Sequence, residues 1–226
     1  MGTGQAGQKG VFVSFDGCDG AGKSTQMRRF VERLQAEGVP VTATREMGGT
    51  EAAEATRAVF LHHNWDAKEG LMLQFAARSN HVRTKIRPAL ERGEWVVSDR
   101  FYDASIAYQC YGQGASLEQL HMLRRFAIGR FKPDLTLLFH IDPEVALKRI
   151  YEVRGGAEDR FEKESRAFFG RVTQGFTEIA RREPKRCVTI EAAGSMDEVE
   201  ARVWQAVEPR LEKWKKAQAR ATKACA

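Results

Sequence analysis

The hydrophobic and polar positions of the chain follow two alternating patterns. Five short runs consist mostly of β-branched, aromatic and other apolar residues, and they lie at 11–15, 39–44, 95–98, 135–141 and 186–191. Between these runs, apolar residues recur every three or four positions, as in Met27, Phe30, Val31 and Leu34. The first pattern is typical of buried strands and the second of amphipathic helices. Strands that alternate with helices predict an α/β fold with a five-stranded parallel sheet and helices on both faces.

Signals for helix ends fit this arrangement. N-cap residues precede three of the predicted helices, at Ser116, Asp142 and Ser195. A helical pattern over 69–87 is expected to stop before Pro88, because proline lacks the N–H group that a helix interior uses. The apolar stripe of the last helix reaches Leu211. The predicted strands and helices therefore extend along the chain as far as Leu211.

The loop between the first strand and the first helix carries the strongest motif. Residues 17–24 match G-x-x-x-x-G-K-[ST] at every fixed position. A predicted strand precedes them and a predicted helix follows them. Backbone N–H groups of such a loop and the helix N-terminus surround a polyphosphate. The motif predicts the three-layer fold of P-loop NTPases and a nucleotide site formed by Gly17, Cys18, Asp19, Gly20, Ala21, Gly22, Lys23, Ser24 and Thr25. Lys23 would reach the β- and γ-phosphates of ATP and Ser24 would bind Mg²⁺.

Charged residues follow the next two strands of the predicted sheet. Arg45 follows the second strand, where it is placed either to meet an anion or to pair on the surface with Glu46 or Glu51. Asp99 and Arg100 follow the third strand. A carboxylate at such a strand end commonly manages the Mg²⁺ shell in phosphate-loop proteins, and the neighbouring arginine can bind a second phosphate.

Two further segments carry candidate binding residues. Phe75 and Arg78 share one helix face, which suits a ring that stacks on a nucleobase beside a guanidinium that donates to it. Periodicity alone favours a core position for Phe75. Glycines and alternating charges interrupt the helical pattern at about 149–162, which is either a mobile lid that carries arginines or a solvated connector. The upstream phosphate loop favours the lid.

Length, charge and cysteine content add limits. A chain of 226 residues fits one α/β domain, expected over 1–211, with a basic C-terminal tail over 212–226. The net charge is +6, and residues 208–226 hold six lysines and arginines against two glutamates, so most of the excess lies at the C-terminus. The sequence has no basic stripe of the kind that binds nucleic acid and no apolar run long enough to span a membrane. The spacing of its four cysteines fits neither a zinc site nor a disulfide framework. These features predict a cytoplasmic enzyme that binds neither nucleic acid nor membranes.

Several segments together resemble the thymidylate kinase family, in its order and over most of the chain. They are Phe15 to Thr25, Thr44 to Thr50, Phe75 to Arg78, Asp99 to Phe101, Ala107 to Gln109 and Asp159 to Glu162. The resemblance implies Mg²⁺-dependent transfer of a phosphoryl group from ATP to dTMP in dTTP biosynthesis, by a homodimer. Alternatives are a phosphate-loop kinase for a nucleoside or another monophosphate, and a nucleotide-binding regulator that has lost catalysis.

The resemblance also implies roles for individual residues. Asp19 would meet the 3′-hydroxyl of dTMP, and Arg45 and Arg100 its phosphate. Phe75 would stack on thymine, whose polar edge would contact Arg78, Ser105 and Gln109. Tyr108 would exclude a 2′-hydroxyl, and Asp99 would lie by the metal. One branch of the family carries a catalytic arginine in the phosphate loop, at the place of Gly20; this chain is similar to the other branch, whose catalytic arginines lie in the lid, here Arg149, Arg154 and Arg160.

Overall fold

A sheet of five parallel strands forms the centre of the molecule. The computed structural model describes residues 9–154 and 161–224. The strands are β1 (Phe12–Gly17), β2 (Val41–Arg45), β3 (Trp95–Asp99), β4 (Leu135–His140) and β5 (Cys187–Glu191), in the spatial order β2-β3-β1-β4-β5. Every predicted strand is present, and the parallel five-stranded α/β fold is confirmed.

Helices connect the strands and cover both faces of the sheet. They are α1 (Lys23–Ala36), α2 (Glu51–His62), α3 (Ala67–His81), α4 (Arg87–Glu91), α5 (Tyr102–Ser105), α6 (Leu117–Ile128), α7 (Pro143–Arg154), α8 (Phe161–Arg182) and α9 (Met196–Ala224). Two π-helical segments, Val82–Ile86 and Ile106–Gly112, continue α3 and α5. Within the described ranges, no helix has the length and apolar character needed to cross a membrane.

The alternation of side chains along the strands divides the core into two halves. Val13 and Phe15 of β1 face a cluster with α1 and α9, whereas Phe12 faces a cluster with α3, α5 and α8. Val97 and Val96 of β3 divide in the same way. Side chains of successive strand residues point to opposite faces, so each strand contributes to both halves.

Helix α2 and the course of the chain at Pro88 differ from the sequence-based prediction. Helix α2 has no apolar stripe, and Ala53 is its only fully buried residue; its start is marked by the Thr50 hydroxyl, which accepts a hydrogen bond from the Ala53 N–H (3.3 Å). Pro88 lies in the first turn of α4 instead of ending the helical course. A π-helical turn precedes it, so the proline falls where a helix start tolerates the missing N–H group.

The last helix continues beyond the end of its predicted apolar stripe. Helix α9 runs through Pro209 to Ala224 without a break at Leu211. Trp214 is buried, and its ring makes an edge contact with that of Trp95, with centroids 6.1 Å apart. The first turn of the basic segment therefore packs on the core of the domain.

Candidate functional site

The phosphate loop joins β1 to α1 in a shape that depends on two glycines. A Cβ atom on Gly17 would lie 2.4 Å from the carbonyl oxygen of Phe139, and one on Gly20 would lie 2.5 Å from that of Ala146. Both distances are far below van der Waals contact, so only glycine allows β4 and α7 to pack this closely against the loop. The loop therefore lies at the carboxyl ends of β1 and β4, where ligands bind in open parallel sheets.

Lys23 is folded into the loop. Its ammonium group is buried and donates a hydrogen bond to the carbonyl oxygen of Cys18 (2.6 Å). Burial, together with the positive charge of Arg100, lowers the pKa of Lys23 to about 8, although Asp19 and Asp99 oppose the shift. A buried cation of this kind gains strongly from a polyphosphate that replaces its lost hydration.

Ser24 and Asp99 meet beside the loop. The Ser24 hydroxyl donates to Asp99 Oδ2 (2.9 Å), which joins the start of α1 to the end of β3. No group of three or more acidic, histidine or cysteine side chains in the described residues could hold a metal by itself. Mg²⁺ commonly binds through one or two protein oxygens together with phosphates and water, so this hydroxyl and carboxylate fit a magnesium ion that arrives with a nucleotide.

A second cluster lies between Asp19 and the segment that follows β3. Arg100 Nη2 donates to Asp19 Oδ1 (2.6 Å) and to the Tyr108 hydroxyl (3.2 Å), and its guanidinium lies over the Tyr108 ring. Burial raises the pKa of Asp19, but the charges of Arg100 and Lys23 more than offset this, and the pKa lies below its usual value. Arg100 has a backbone φ of 67°, which is uncommon outside glycine and often marks a functional position.

This cluster lines a cavity of about 330 Å³. The cavity is bounded by the phosphate loop, α2, α3 and the segment 100–109. Its walls carry Asp19, Glu46, Met47, Arg57, Phe60, Leu61, Gln74, Arg78, Arg100, Phe101, Ala104, Ser105, Tyr108 and Gln109. Aromatic surfaces with a few converging polar groups are typical of a small-molecule site.

A buried network holds Arg78 in the wall of the cavity. Arg78 Nε donates to Glu46 Oε2 (2.5 Å), and Nη2 donates to the Ser105 hydroxyl (3.0 Å). Glu46 Oε1 also pairs with His81 Nδ1 (3.1 Å), whose Nε2 contacts the Thr44 hydroxyl (2.7 Å). These bonds hold two of the three nitrogens of the guanidinium. The third, Nη1, is buried without a hydrogen-bond partner among the described residues.

Two residues that the resemblance assigned to the acceptor lie elsewhere. Phe75 does not line the cavity; it is 2% exposed, and its ring packs in the core with the Arg78 guanidinium 4.6 Å above its centroid. Arg45 pairs with Glu54 through two hydrogen bonds (3.1 and 2.9 Å) and lines a neighbouring groove. This pairing and a bond from the Gly49 N–H lower the pKa of Glu54 to about 2. Burial of the apolar ring accounts for the position of Phe75, and the ion pair with Glu54 accounts for that of Arg45.

Of the three lid arginines, one has a described side chain. Arg149 donates from Nη1 to the carbonyl oxygen of Gly20 (3.3 Å), so it reaches the phosphate loop from α7. The side chain of Arg154, at the end of α7, and the whole of Arg160 lie outside the described part of the chain.

The cavity also contains residues that the sequence did not suggest. Arg57 and Phe60 come from α2, a helix without a sequence signature apart from its N-cap, and Arg57 donates to the carbonyl oxygen of Met47 (3.0 Å). Glu46 and Gln74 flank predicted residues. A helical reading of 51–62 from Thr50, Glu51 and Glu54 would have brought Arg57 and Phe60 into consideration.

Asp16 is expected to make stability depend on pH. Its carboxyl is buried, Oδ1 accepts from the Phe101 N–H (3.3 Å), and Oδ2 has no hydrogen-bond partner among the described residues. Burial, and then the charge of Asp103, raise the pKa of Asp16 to about 7. The folded protein therefore keeps the proton up to about pH 7, whereas the unfolded chain releases it near the ordinary aspartate value of 3.8. As pH rises through this window, Asp16 lowers the free energy of unfolding.

The variant Asp16→Asn removes this ionisation. The free energy of unfolding of the wild type, relative to that of the variant, should fall by on the order of 1–3 kcal/mol between pH 4 and 7 and then stay level. Urea unfolding at several pH values measures the difference, and a constant offset from the new amide cancels in its pH dependence. A difference that does not vary with pH would contradict the prediction.

This chain is similar to known proteins of one family. The family model described as thymidylate kinase matches residues 15–203. The thymidylate kinase of Magnetococcus marinus is 43% identical over 206 residues, which cover 90% of this chain and 98% of that protein. The thymidylate kinase of Thiobacillus denitrificans is 45% identical over 194 residues, covering 86% and 94%. A crystal structure of thymidylate kinase from Ehrlichia chaffeensis matches with a TM-score of 0.72 at 30% identity, over 88% of this chain and 99% of that one. The chain therefore belongs to the thymidylate kinase family.

Proposed function

We propose that this enzyme transfers the terminal phosphoryl group of ATP to dTMP, which gives ADP and dTDP. The observation that carries the proposal is the position of Asp19, which belongs to the phosphate loop and also lines the 330 Å³ cavity. A triphosphate in the loop and a monophosphate in the cavity would thus have their phosphates side by side. Phosphoryl transfer needs such positioning and positive charge more than covalent chemistry from the protein.

On the donor side, the loop from Gly17 to Thr25 binds the phosphates of ATP. Lys23 leaves the Cys18 carbonyl and pairs with the β- and γ-phosphates. Ser24 and Asp99 supply two of the oxygen ligands for Mg²⁺, which, when bound, neutralises charge on the phosphates. The hydrogen bond between Ser24 and Asp99 (2.9 Å) supports this assignment.

On the acceptor side, Arg100 binds the phosphate of dTMP, and Arg57 is the second cation. Both line the cavity, whereas the guanidinium of Arg45 is held by Glu54. Asp19 meets the 3′-hydroxyl, and Tyr108, fixed by its bonds to Asp19 and Arg100, closes the space for a 2′-hydroxyl. No general base is needed, because the acceptor phosphate is already a nucleophile.

Arginines of the lid stabilise the phosphoryl group during transfer. An arginine at the place of Gly20 would have its Cβ 2.5 Å from the Ala146 carbonyl oxygen, which supports a catalytic arginine from outside the loop. Arg149 is the candidate with a described contact, at 3.3 Å from the Gly20 carbonyl oxygen. Arg154 and Arg160 are further candidates from the sequence. Such a cation compensates charge on the oxygens of the transferring group.

The release of ADP in the presence of Mg²⁺-ATP tests the proposal. dTMP, dUMP, UMP, dGMP and thymidine are compared as acceptors at equal concentrations. We expect turnover to favour dTMP strongly. Turnover with thymidine or another monophosphate alone would overturn the acceptor assignment, and no turnover with any of them would overturn the proposed reaction.

We further propose that the enzyme is a homodimer through a face of α3 and α6. Phe126 and Met122 lie one turn apart on α6 and are 92% and 60% exposed, and Met72 on the neighbouring α3 is 46% exposed. Exposed large apolar side chains on two adjoining helices commonly mark a protein interface.

Phe126→Asp should therefore dissociate the dimer. Placing a charge in an apolar interface should raise the dissociation constant by at least about 100-fold, because the carboxylate would be desolvated without a partner. Sedimentation velocity across a concentration series measures the change. Met196→Asp alters an exposed apolar side chain on α9 and serves as the control. Equal masses for Phe126→Asp and the wild type at every concentration would contradict the assignment of this face.

A further inference from the structure

We propose that Phe168 and Phe176 of α8 are positioning residues for phosphoryl transfer, because their rings hold that of Tyr108. The Tyr108 hydroxyl in turn joins the phosphate loop to Arg100. The inference rests on the proposed function, which places the donor phosphates in the loop and the acceptor phosphate at Arg100. The described wall of the cavity includes Tyr108 but neither of the two phenylalanines. They therefore act on the reaction through Tyr108 and without touching a substrate.

The hydroxyl group of Tyr108 makes three hydrogen bonds that link the two sides of the site. It accepts from the backbone N–H of Asp19 (3.1 Å) and from Arg100 Nη2 (3.2 Å), and it donates to Asp19 Oδ2 (3.3 Å). Burial raises the pKa of Tyr108 above its ordinary value, so the hydroxyl keeps its proton. A hydroxyl offers one donor and two acceptor positions, and all of them are used here. A displacement of this hydroxyl therefore affects the phosphate loop and Arg100 together.

Two aromatic rings of α8 pack edge-on against the ring of Tyr108. Its centroid lies 6.1 Å from that of Phe168 and 6.2 Å from that of Phe176, at interplanar angles of 60° and 77°. The Cζ atom of Arg100 lies 4.7 Å from the same centroid. Edge-on pairs of aromatic rings stabilise a structure beyond the area that they bury. The position of the Tyr108 ring is thus set by helix α8.

Helix α8 packs closely on the π-helical segment Ile106–Gly112, which contains this tyrosine. A Cβ atom on Gly175 of α8 would lie 3.0 Å from the Cα atom of Ala107, and one on Gly112 would lie 2.6 Å from Phe168 Cε2. Neither glycine has room for a side chain unless its neighbour moves. π-helical turns are rare and often occur at functional sites. Contacts this close mean that α8 and the segment keep a fixed position relative to each other.

The same helix contacts the end of the segment and the phosphate loop. Arg171 donates from Nε and Nη2 to the carbonyl oxygen of Gly112 (3.1 and 2.9 Å). Thr173 Oγ1 lies within hydrogen-bond distance of Cys18 Sγ in the phosphate loop (3.3 Å). Helix α8 therefore holds the loop and the tyrosine in one frame. This frame fixes the distance between the donor phosphates and Arg100.

Steady-state kinetics with dTMP and Mg²⁺-ATP test the role of the two rings. Phe168→Ala removes one edge contact, and we expect kcat to fall about 10- to 100-fold, because small misplacements of reacting groups have effects of this size. Phe176→Leu removes the other contact, keeps most of the buried volume, and should also lower kcat. Phe169→Ala removes an equally large, half-buried ring from the next position of α8 and should stay within about threefold of the wild type.

A double-mutant cycle with Tyr108→Ala separates positioning from a general loss of stability. Because Phe168 acts through Tyr108, Phe168→Ala should lower kcat by less than about threefold in a chain that already carries Tyr108→Ala. A merely structural role predicts the full loss in both backgrounds. The ratio of kcat/KM for dUMP over UMP is a second readout, since these two differ only in the 2′-hydroxyl. Phe168→Ala should lower this ratio when Tyr108 is present and leave it unchanged when it is absent.

Hydrogen exchange of the Asp19 amide reports the same geometry without turnover. This amide donates to the Tyr108 hydroxyl, so Phe168→Ala should speed its exchange at least about 10-fold, whereas Phe169→Ala should not.

Three results would overturn the inference. They are an unchanged kcat in Phe168→Ala, a full loss of kcat for this variant in the Tyr108→Ala background, and an Asp19 amide that exchanges equally fast in Phe168→Ala and the wild type. A wild-type enzyme without dTMP turnover would instead contradict the proposed function. The exchange measurement would then still decide whether α8 holds Tyr108 against the phosphate loop.

Discussion

Replacing Lys23 with methionine is expected to lower kcat by about 10³-fold, a loss typical of removing one preorganised charge from a transferring group. The Lys23 ammonium is buried, and its hydrogen bond goes to the Cys18 carbonyl within the same loop. It therefore needs little reorganisation to reach the phosphates, and methionine keeps the length of the side chain without the charge. ADP release at saturating ATP and dTMP measures the loss. A kcat within 10-fold of the wild type would contradict the role.

The same residue should make ATP binding sensitive to alkaline pH. Because burial lowers the pKa of Lys23 to about 8, the free enzyme loses this charge as the pH rises through that value. The phosphates of ATP favour the protonated form, so KM for ATP should increase up to about 10-fold per pH unit between pH 8 and 9.5. Lys23→Met should have a high KM for ATP that lacks this dependence. A wild-type profile that is flat over this range would refute the assignment.

Arg100→Ala is expected to lower kcat/KM for dTMP by about 10²- to 10³-fold while ATP binding stays within about twofold of the wild type. In the structure, the guanidinium faces the cavity and is held by Asp19 and the Tyr108 hydroxyl, so it meets an acceptor phosphate already oriented. Without it, the Asp19 carboxylate would repel that phosphate. Isothermal titration with an ATP analogue and kinetics with dTMP separate the two sites. An equal loss for both nucleotides would contradict this division.

The backbone at residue 100 requires a matched variant. Its φ of 67° favours glycine over any residue that carries a Cβ atom, so Arg100→Ala keeps about 1 kcal/mol of strain that the arginine already has. Arg100→Gly removes the same side chain without that strain. Both variants should lose the same activity toward dTMP, and the glycine variant should be the more stable in urea unfolding. Arg45→Ala, whose guanidinium pairs with Glu54 in the neighbouring groove, should lose far less.

Much of the donor side could be predicted from the sequence. The spacing of Gly17, Gly22, Lys23 and Ser24 is local, so the motif alone predicts the loop from the sequence. Asp99 was predicted to lie by the same Mg²⁺ as Ser24 although it is far away in sequence, because parallel strands bring their carboxyl ends to one edge of the sheet. The structure places the two side chains within hydrogen-bond distance of each other. The first inference needed only the local motif, and the second needed only the order of strands and helices along the chain.

The acceptor side was predicted less completely. Arg78, Ser105, Tyr108 and Gln109 line the cavity as expected, but Phe75 and Arg45 do not. Arg57 and Phe60 come from a helix whose apolar pattern is too weak to show its rotation. Whether Arg45 is free to bind an anion or forms an ion pair depends on Glu54. A hydrogen bond from the Gly49 N–H holds the Glu54 carboxylate beside Arg45. Such choices depend on contacts between elements that no local pattern encodes.

The sequence by itself determined the α/β fold, the phosphate loop with Lys23 and the strand-end positions of Asp99 and Arg100, because these depend on local motifs and on the periods of strands and helices. The tertiary structure alone decided which residues of α2 and α3 face the cavity. Neighbouring residues on a helix point about 100° apart, so a rotation of the helix by about that angle would exchange Phe75 for Gln74 at the cavity wall. Packing sets that rotation, since burying the phenylalanine ring removes more apolar surface from water than burying the amide would.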